Sequence, residues 1–220
     1  MYYVISAVID EGAAARARET LAEATFVDGR ATAGWHARLV KNNLQASGID
    51  GAVAALRETL AAAIRDNPLF RLAARPKALT PLILSRYEPG MNYGSHVDDA
   101  LMGDMRTDVS FTLFLSDPAT YDGGALVIET SGGEDEVKLP AGSLVAYPST
   151  TLHRVEPVTR GMRLAAVGWA RSFIRDAAQR ELLFDLDTAR QQLFAASGKT
   201  PEFDLLSKTS ANLLRMWADD

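Results

Sequence analysis

Apolar and polar residues recur along this chain with two different periods, and the switch between them divides it into three parts. In residues 10–24 (DEGAAARARETLAEA) good helix formers follow Asp10, whose side chain suits a helix N-cap. In residues 50–66, Val53, Leu56, Leu60 and Ile64 fall at helical spacing and make one apolar stripe. Asn67-Pro68 closes that helix, because the residue before a proline avoids the helical region. From about 80 to 172 the period drops to two, in the runs TPLILSRY, VSFTLFLS, ALVIET, EVKLP, SLVAYP, HRVEPV and MRLAAVGWARS. Gly, Pro, Asp or Ser interrupts them every eight to twelve residues, the spacing of an all-β sandwich or barrel. Helical patterning returns in RDAAQRELLFDLDTARQQLFAASG and in TPEFDLLSKTSANLLRMWADD, which opens on a Thr200 cap and Pro201. With no internal repeat and no separating linker, the pattern predicts a β core over 79–174. A helical and strand region at 1–78 packs on it, and a helical extension follows at 175–220.

Composition narrows the class of partner. The 220 residues are 47% hydrophobic and 23% charged, as in an ordinary globular protein. A net charge of -5 argues against nucleic acid or an anionic membrane as partner, since both attract a basic face. The absence of cysteine removes disulfides, thiolate metal sites and cysteine nucleophiles together. The opening MYYVISAVIDEGAAARA has no basic segment before an apolar stretch, so a cytoplasmic setting is expected. Self-association is left open by the sequence.

Imidazole chemistry must come from His36, His96 and His153. In His96-Val97-Asp98, strand geometry would turn imidazole and carboxylate to one side. His153 lies among strand-like residues further on. Two histidines and one carboxylate on neighbouring strands can occupy one face of an octahedral ion and leave the other open, the arrangement of non-haem Fe(II) oxygenases. Arg163 follows His153 by ten residues, on the strand after the Arg160-Gly161 turn. Its neighbours Ala165, Val167 and Trp169 read as a buried face, and a buried guanidinium fork suits a dicarboxylate. Residues 163 to 171 at alternate positions share that face. Arg171 is therefore expected on the side of Arg163, roughly 26 Å along and near a barrel rim, at about 3.3 Å per residue. There it would either anchor an anionic substrate or pair at the surface with Glu181 or Asp185.

Several blocks in order carry a resemblance: VDGRATAG, VKNNLQ, RYEPGMNYGSHVDDA, RTDVSFTLFLS, YDGGALVIE, LPAGSLVAYPSTTLHRVEPVTRG and RDAAQRELLFDLD. The chain resembles bacterial PKHD-type hydroxylases, in the prolyl 4-hydroxylase-like branch of the Fe(II)/2-oxoglutarate dioxygenases. The resemblance implies a mainly β fold, a double-stranded β-helix (jelly-roll) core with flanking helices. It implies His96, Asp98 and His153 as iron ligands, Arg163 as the residue binding the 2-oxoglutarate carboxylate, and Tyr87 as a lining of the cosubstrate pocket. Fe(II), 2-oxoglutarate, O2 and L-ascorbate are the implied cofactors. The implied substrate is a peptidyl residue, an amino acid or a siderophore-like small molecule, with iron homeostasis as a role by analogy. The chain departs from the family at Ser85, where Asn is expected, at Ala125, where Glu is expected, and at Arg171, where Gln is commoner. Ser85 and Arg171 are thereby placed near the cavity rim. Asp122-Gly123-Gly124 reads as a tight turn, and His36 as a structural or surface residue. Two other readings stay open: a sensor of iron or 2-oxoglutarate without catalysis, and a cupin-like metal enzyme that does not use 2-oxoglutarate.

Overall fold

The computed structural model describes residues 1–219. Its larger sheet has the spatial order Tyr3–Ile5, Leu144–Pro148, Val109–Phe114, Arg163–Ser172, Ile83–Tyr87, Leu44–Ala46 and Phe26–Asp28, with Pro76–Leu79 beside the far half of Arg163–Ser172. The smaller sheet runs Gly133–Val137, Leu126–Thr130, His153–Val155, Asn92–His96 and Lys41–Asn42. All pairings in both are antiparallel. The architecture is mainly β with flanking helices, and the two sheets form the jelly-roll that the sequence led us to expect.

Successive residues of a strand face opposite sides, and both faces of the larger sheet are covered, so the central strand Val109–Phe114 is buried at every position and its neighbours at most of theirs. Phe111, Leu113, Leu144, Ala146, Leu164, Ala166 and Leu84 point outward and pack under the N-terminal helices, against Leu21, Val53, Leu60, Ile64 and Phe70. Their alternates Phe114, Val145, Tyr147 and Tyr87 point inward, toward Leu126, Ile128 and Val155 of the smaller sheet. One sheet face makes the core, and the other lines the space between the sheets.

The helices begin where the caps require. Asp10 accepts from Ala13 N at 2.7 Å to start Glu11–Ala22, and Asp50 accepts from Ala52 N at 2.8 Å to start Gly51–Asp66. Asn67 ends the second helix and caps a third, Pro68–Ala74, through Leu69 N and Phe70 N at 3.0 Å each. Helices Ala177–Ser197 and Pro201–Trp217 close the chain, the latter capped by Thr200. Asp187 fastens them, pairing with Arg75 at 2.5 Å and accepting from Ser210 Oγ at 2.8 Å. No helix among the described residues is long and apolar enough to cross a membrane. The first 79 residues contribute five short strands to the two sheets, more than their patterning suggested.

Candidate active site

The inward faces of the two sheets enclose a pocket with about 720 Å³ of empty volume, including the space open to solvent at its mouth. His96, Asp98, His153, Arg163 and Tyr87 all line it.

His96 and His153 are direct cross-strand partners. Their rings lie 4.3 Å apart between centroids. His96 Nε2 is 3.9 Å from Asp98 Oδ1, and His153 Nε2 is 3.8 Å from Asp98 Oδ2. One donor atom from each residue falls within 4.8 Å of the others, close enough to share one ion. The strand reading of His96-Val97-Asp98 is only half right. The strand stops at His96, and Asp98 reaches the same point from the loop beyond.

Both imidazoles are tethered alike. His96 Nδ1 lies 2.9 Å from the Gly94 carbonyl, and His153 Nδ1 lies 3.0 Å from that of Thr151, each two residues upstream. A carbonyl can only accept, so the proton belongs on Nδ1 and the Nε2 lone pair is left for a metal. Ser110 Oγ donates to Asp98 Oδ2 at 2.5 Å and itself lies 2.9 Å from Ser149 Oγ. Burial, with His153 adding to it, pushes the His96 pKa down to about 4, so the ring is neutral at physiological pH.

A bulge aims the His96 ring. Val155 pairs with Tyr93 and His153 with His96, so two residues separate the partners on one strand and three on the other. Residues three apart on a regular strand point to opposite faces. The extra residue brings Tyr93 and His96 to the same side, where their rings stack at 3.6 Å and 17°. Gly94 sits inside the bulge, where a Cβ would come within 2.8 Å of Val40 Cβ.

Arg163 heads its strand opposite Tyr87 and is 1% exposed. Its guanidinium carbon lies 5.2 Å from the Tyr87 ring and 5.3 Å from that of Phe114, and its Nε has no hydrogen-bond partner. Arg163 makes no ion pair among the described residues. Gly124, at φ +64°, packs against it, and a Cβ there would lie 3.2 Å from Arg163 Cδ. This gives the Asp122-Gly123-Gly124 turn a part in the site as well as in the backbone.

Other lining residues escaped sequence reasoning. Tyr93, Thr112, Tyr147 and Lys41 all face the pocket, and the Tyr147 ring meets His153 edge-on at 5.0 Å. Burial raises the pKa of both tyrosines, so they are neutral phenols. The VKNNLQ block was the available signal for Lys41, and the inward alternation of VSFTLFLS for Ser110 and Thr112. Ser85 is buried in the pocket wall, away from the rim. Arg171 does not line the pocket. With Arg106, the main cause, it lowers the pKa of Asp219 near the chain's end. His36 is also outside the pocket, edge-on to Trp35 at 5.2 Å.

The family model described as the 2OG-Fe(II) oxygenase superfamily matches residues 82–171, a span that holds all five of these residues. Fold, donor set and match together define a 2-oxoglutarate-dependent dioxygenase, an activity that implies Fe(II), 2-oxoglutarate and O2. The model for the PKHD-type hydroxylase C-terminal domain matches residues 177–219, the two closing helices. A PKHD-type hydroxylase of Picosynechococcus is 55% identical over 219 residues, and one of Synechococcus elongatus is 56% identical over 223, each alignment spanning 100% of both chains. The chain belongs to the PKHD-type hydroxylase family. Among solved structures, a Pseudomonas putida prolyl-4-hydroxylase is 25% identical with a TM-score of 0.53, over 78% of this chain and 92% of that one. A Trichoplax adhaerens prolyl hydroxylase, solved with a hypoxia inducible factor peptide, shares the fold at 16% identity and TM-score 0.57, over 82% and 86% of the two chains.

Proposed function

We propose that His96, Asp98 and His153 hold one Fe(II) ion, and that Arg163, with Tyr87 beside it, receives the distal carboxylate of 2-oxoglutarate. The enzyme would hydroxylate a C–H bond of a peptidyl residue, an amino acid or a siderophore-like small molecule. The observation that carries this reading is the Arg163 guanidinium, buried without a carboxylate partner in the pocket that also holds three metal-type donors. A buried cation is costly unless it is paired, and a planar fork matches a carboxylate in two parallel hydrogen bonds.

When bound, iron and cosubstrate supply the oxidising chemistry: O2 and 2-oxoglutarate give succinate and CO2 as one oxygen atom enters the C–H bond. The chain does the rest. His96 and His153 present Nε2, Asp98 reduces the charge of the site, and Ser110 orients that carboxylate. Arg163 fixes the cosubstrate in one orientation, while Leu126, Val155, Val167 and Trp169 keep the pocket wall dry. Ascorbate, as a reductant of iron after turnover without substrate, belongs to the same reading. A link to iron homeostasis rests on family resemblance alone.

Arg163→Ala tests the assignment. Anaerobic Fe(II)-loaded protein should bind 2-oxoglutarate about 30-fold or more weakly, because a buried charge-assisted pair is worth roughly 2–5 kcal/mol. Metal affinity should hold, and Arg163→Lys should restore only part, lacking the fork. An unchanged 2-oxoglutarate constant would remove Arg163 from the role.

A further inference from the structure

A second buried cation lines the pocket, and iron and 2-oxoglutarate give it nothing to bind. Lys41 is 8% exposed and lies opposite Tyr93 in the smaller sheet. Its ammonium donates to Thr32 Oγ1 at 3.2 Å and stands 4.9 Å from the centroid of the Tyr93 ring. That ring stacks on His96, so Lys41 is one aromatic ring removed from a candidate iron ligand. Lys41 makes no ion pair among the described residues, although lysines this buried are ordinarily paired. Burial pushes its pKa down to about 8, against the opposing pull of Asp98 and Asp28, so the amine is still mostly protonated at neutral pH.

The hydrogen bonds nearby fix where the ammonium sits without neutralising it. Thr32 Oγ1 also accepts from Gln45 Nε2 at 2.9 Å, and Gln45 lines the same wall. A hydroxyl takes one of the three ammonium protons and offers no charge. The formal charges of the interior then leave a remainder. Fe(II) against Asp98 is one positive charge in excess, and 2-oxoglutarate against Arg163 is one negative charge in excess. These cancel, Asp99 is exposed at the mouth, and the Lys41 charge stays unmatched.

We infer that Lys41 is a specificity-determining residue that receives a carboxylate of the primary substrate, so that the enzyme acts on acids. This rests on the oxygenase reading, which gives the other pocket charges their partners. The carboxylate can belong to a free small acid or to a peptide with a free C-terminus.

The test uses the full chain loaded anaerobically with Fe(II) and 2-oxoglutarate. It is titrated with N-acetyl amino acids, other small carboxylic acids and short peptides, each beside its primary amide. Binding is read by calorimetry and by the visible absorption of the loaded protein. Acids should bind about tenfold or more tightly than their amides. Lys41→Met should erase that preference, Lys41→Arg should recover part of it, and 2-oxoglutarate affinity should stay within twofold in both. A preference confined to the peptides assigns the carboxylate to a chain terminus, and one shared by the small acids assigns it to a free acid. A lysine that only props up Tyr93 would alter metal affinity and leave the acid-to-amide ratio alone, which overturns the inference. So would a wild-type protein that binds no acid better than its amide, or a Lys41→Met variant that loses 2-oxoglutarate itself. Lys41→Gln serves if the Met variant does not fold. Failure of the oxygenase reading shows earlier and separately, as wild-type protein that takes up no 2-oxoglutarate with Fe(II).

Discussion

Arg163 begins a ten-residue strand paired with Ile83–Tyr87 and Pro76–Leu79 on one side and Val109–Phe114 on the other. His96 instead ends a five-residue strand interrupted by a bulge, and Asp98 stands in the loop after it. The side of the pocket proposed for the cosubstrate is thus held mainly by register, with the Gly124 turn packed against it. On that wall a side chain's direction follows from its place in the alternation. The side proposed for the metal is held by exceptions to register: a bulge, two histidine–carbonyl tethers and a serine on the opposite sheet. A regular wall tolerates changes that keep the strand intact, while an irregular one depends on each of its local contacts.

Substitutions can separate the two walls. The largest effect should come from Asp98→Ala, which removes the only anion of the donor set. Fe(II) affinity should fall more than about 100-fold, beyond what loss of a supporting contact costs, with 2-oxoglutarate binding lost in consequence. Calorimetric metal titration measures it, and retained affinity would dissolve the site.

Ser110→Ala comes next. It leaves Asp98 Oδ2 without its hydroxyl donor, and loss of such a support costs about 10- to 100-fold in metal affinity. An effect below twofold would show that Asp98 is aimed by its loop alone.

A pair of glycine substitutions compares the walls directly. Gly94→Ala brings a Cβ within 2.8 Å of Val40 Cβ and should disturb the bulge, weakening Fe(II) about tenfold while the Arg163 wall keeps its shape. Gly124→Ala forces alanine to φ +64° and against Arg163, so 2-oxoglutarate affinity should fall about tenfold with Fe(II) binding kept. If each variant moved both constants equally, the walls would not be independent.

The smallest effect is a slope of stability with pH. His96 has a folded pKa near 4 against an ordinary value of 6.5, so between those limits the unfolded chain binds the extra proton. Metal-free protein should therefore lose stability as pH falls from about 6.5 to 4, by at most about 1.4 kcal/mol per pH unit. Above 6.5 His96 contributes no slope. Denaturant midpoints across that range measure it, and His96→Asn should flatten the profile. The same slope in the variant would assign it to other groups.

Much of this was legible in the amino-acid order. The runs from TPLILSRY to MRLAAVGWARS become strands because long stretches of alternation leave one reading of each face. Asp10 and Thr200 cap helices because their chemistry is local. His96, Asp98, His153, Arg163 and Tyr87 line one pocket, the set that the family resemblance implied. Strands of two or three residues, such as Lys41–Asn42, are too short to show a period, so the wall that carries Lys41 could not be read. The bulge that swings Tyr93 toward His96 breaks the very alternation used to find strands. Arg171 stands at the far end of the strand from Arg163, opposite Ala78, beyond the residues that line the pocket.

The tethers at Nδ1 have one further consequence. Each joins an imidazole Nδ1 to a backbone carbonyl two residues upstream, so the hydrogen bond that orients each ring is made within the chain itself. Loading the proposed centre would then be an ordinary saturable equilibrium laid over a finished scaffold, unlike that of small zinc modules whose folding waits for the metal. Iron held there as proposed would leave and return without unfolding the protein, and the fraction of loaded enzyme should track the free ferrous concentration around it.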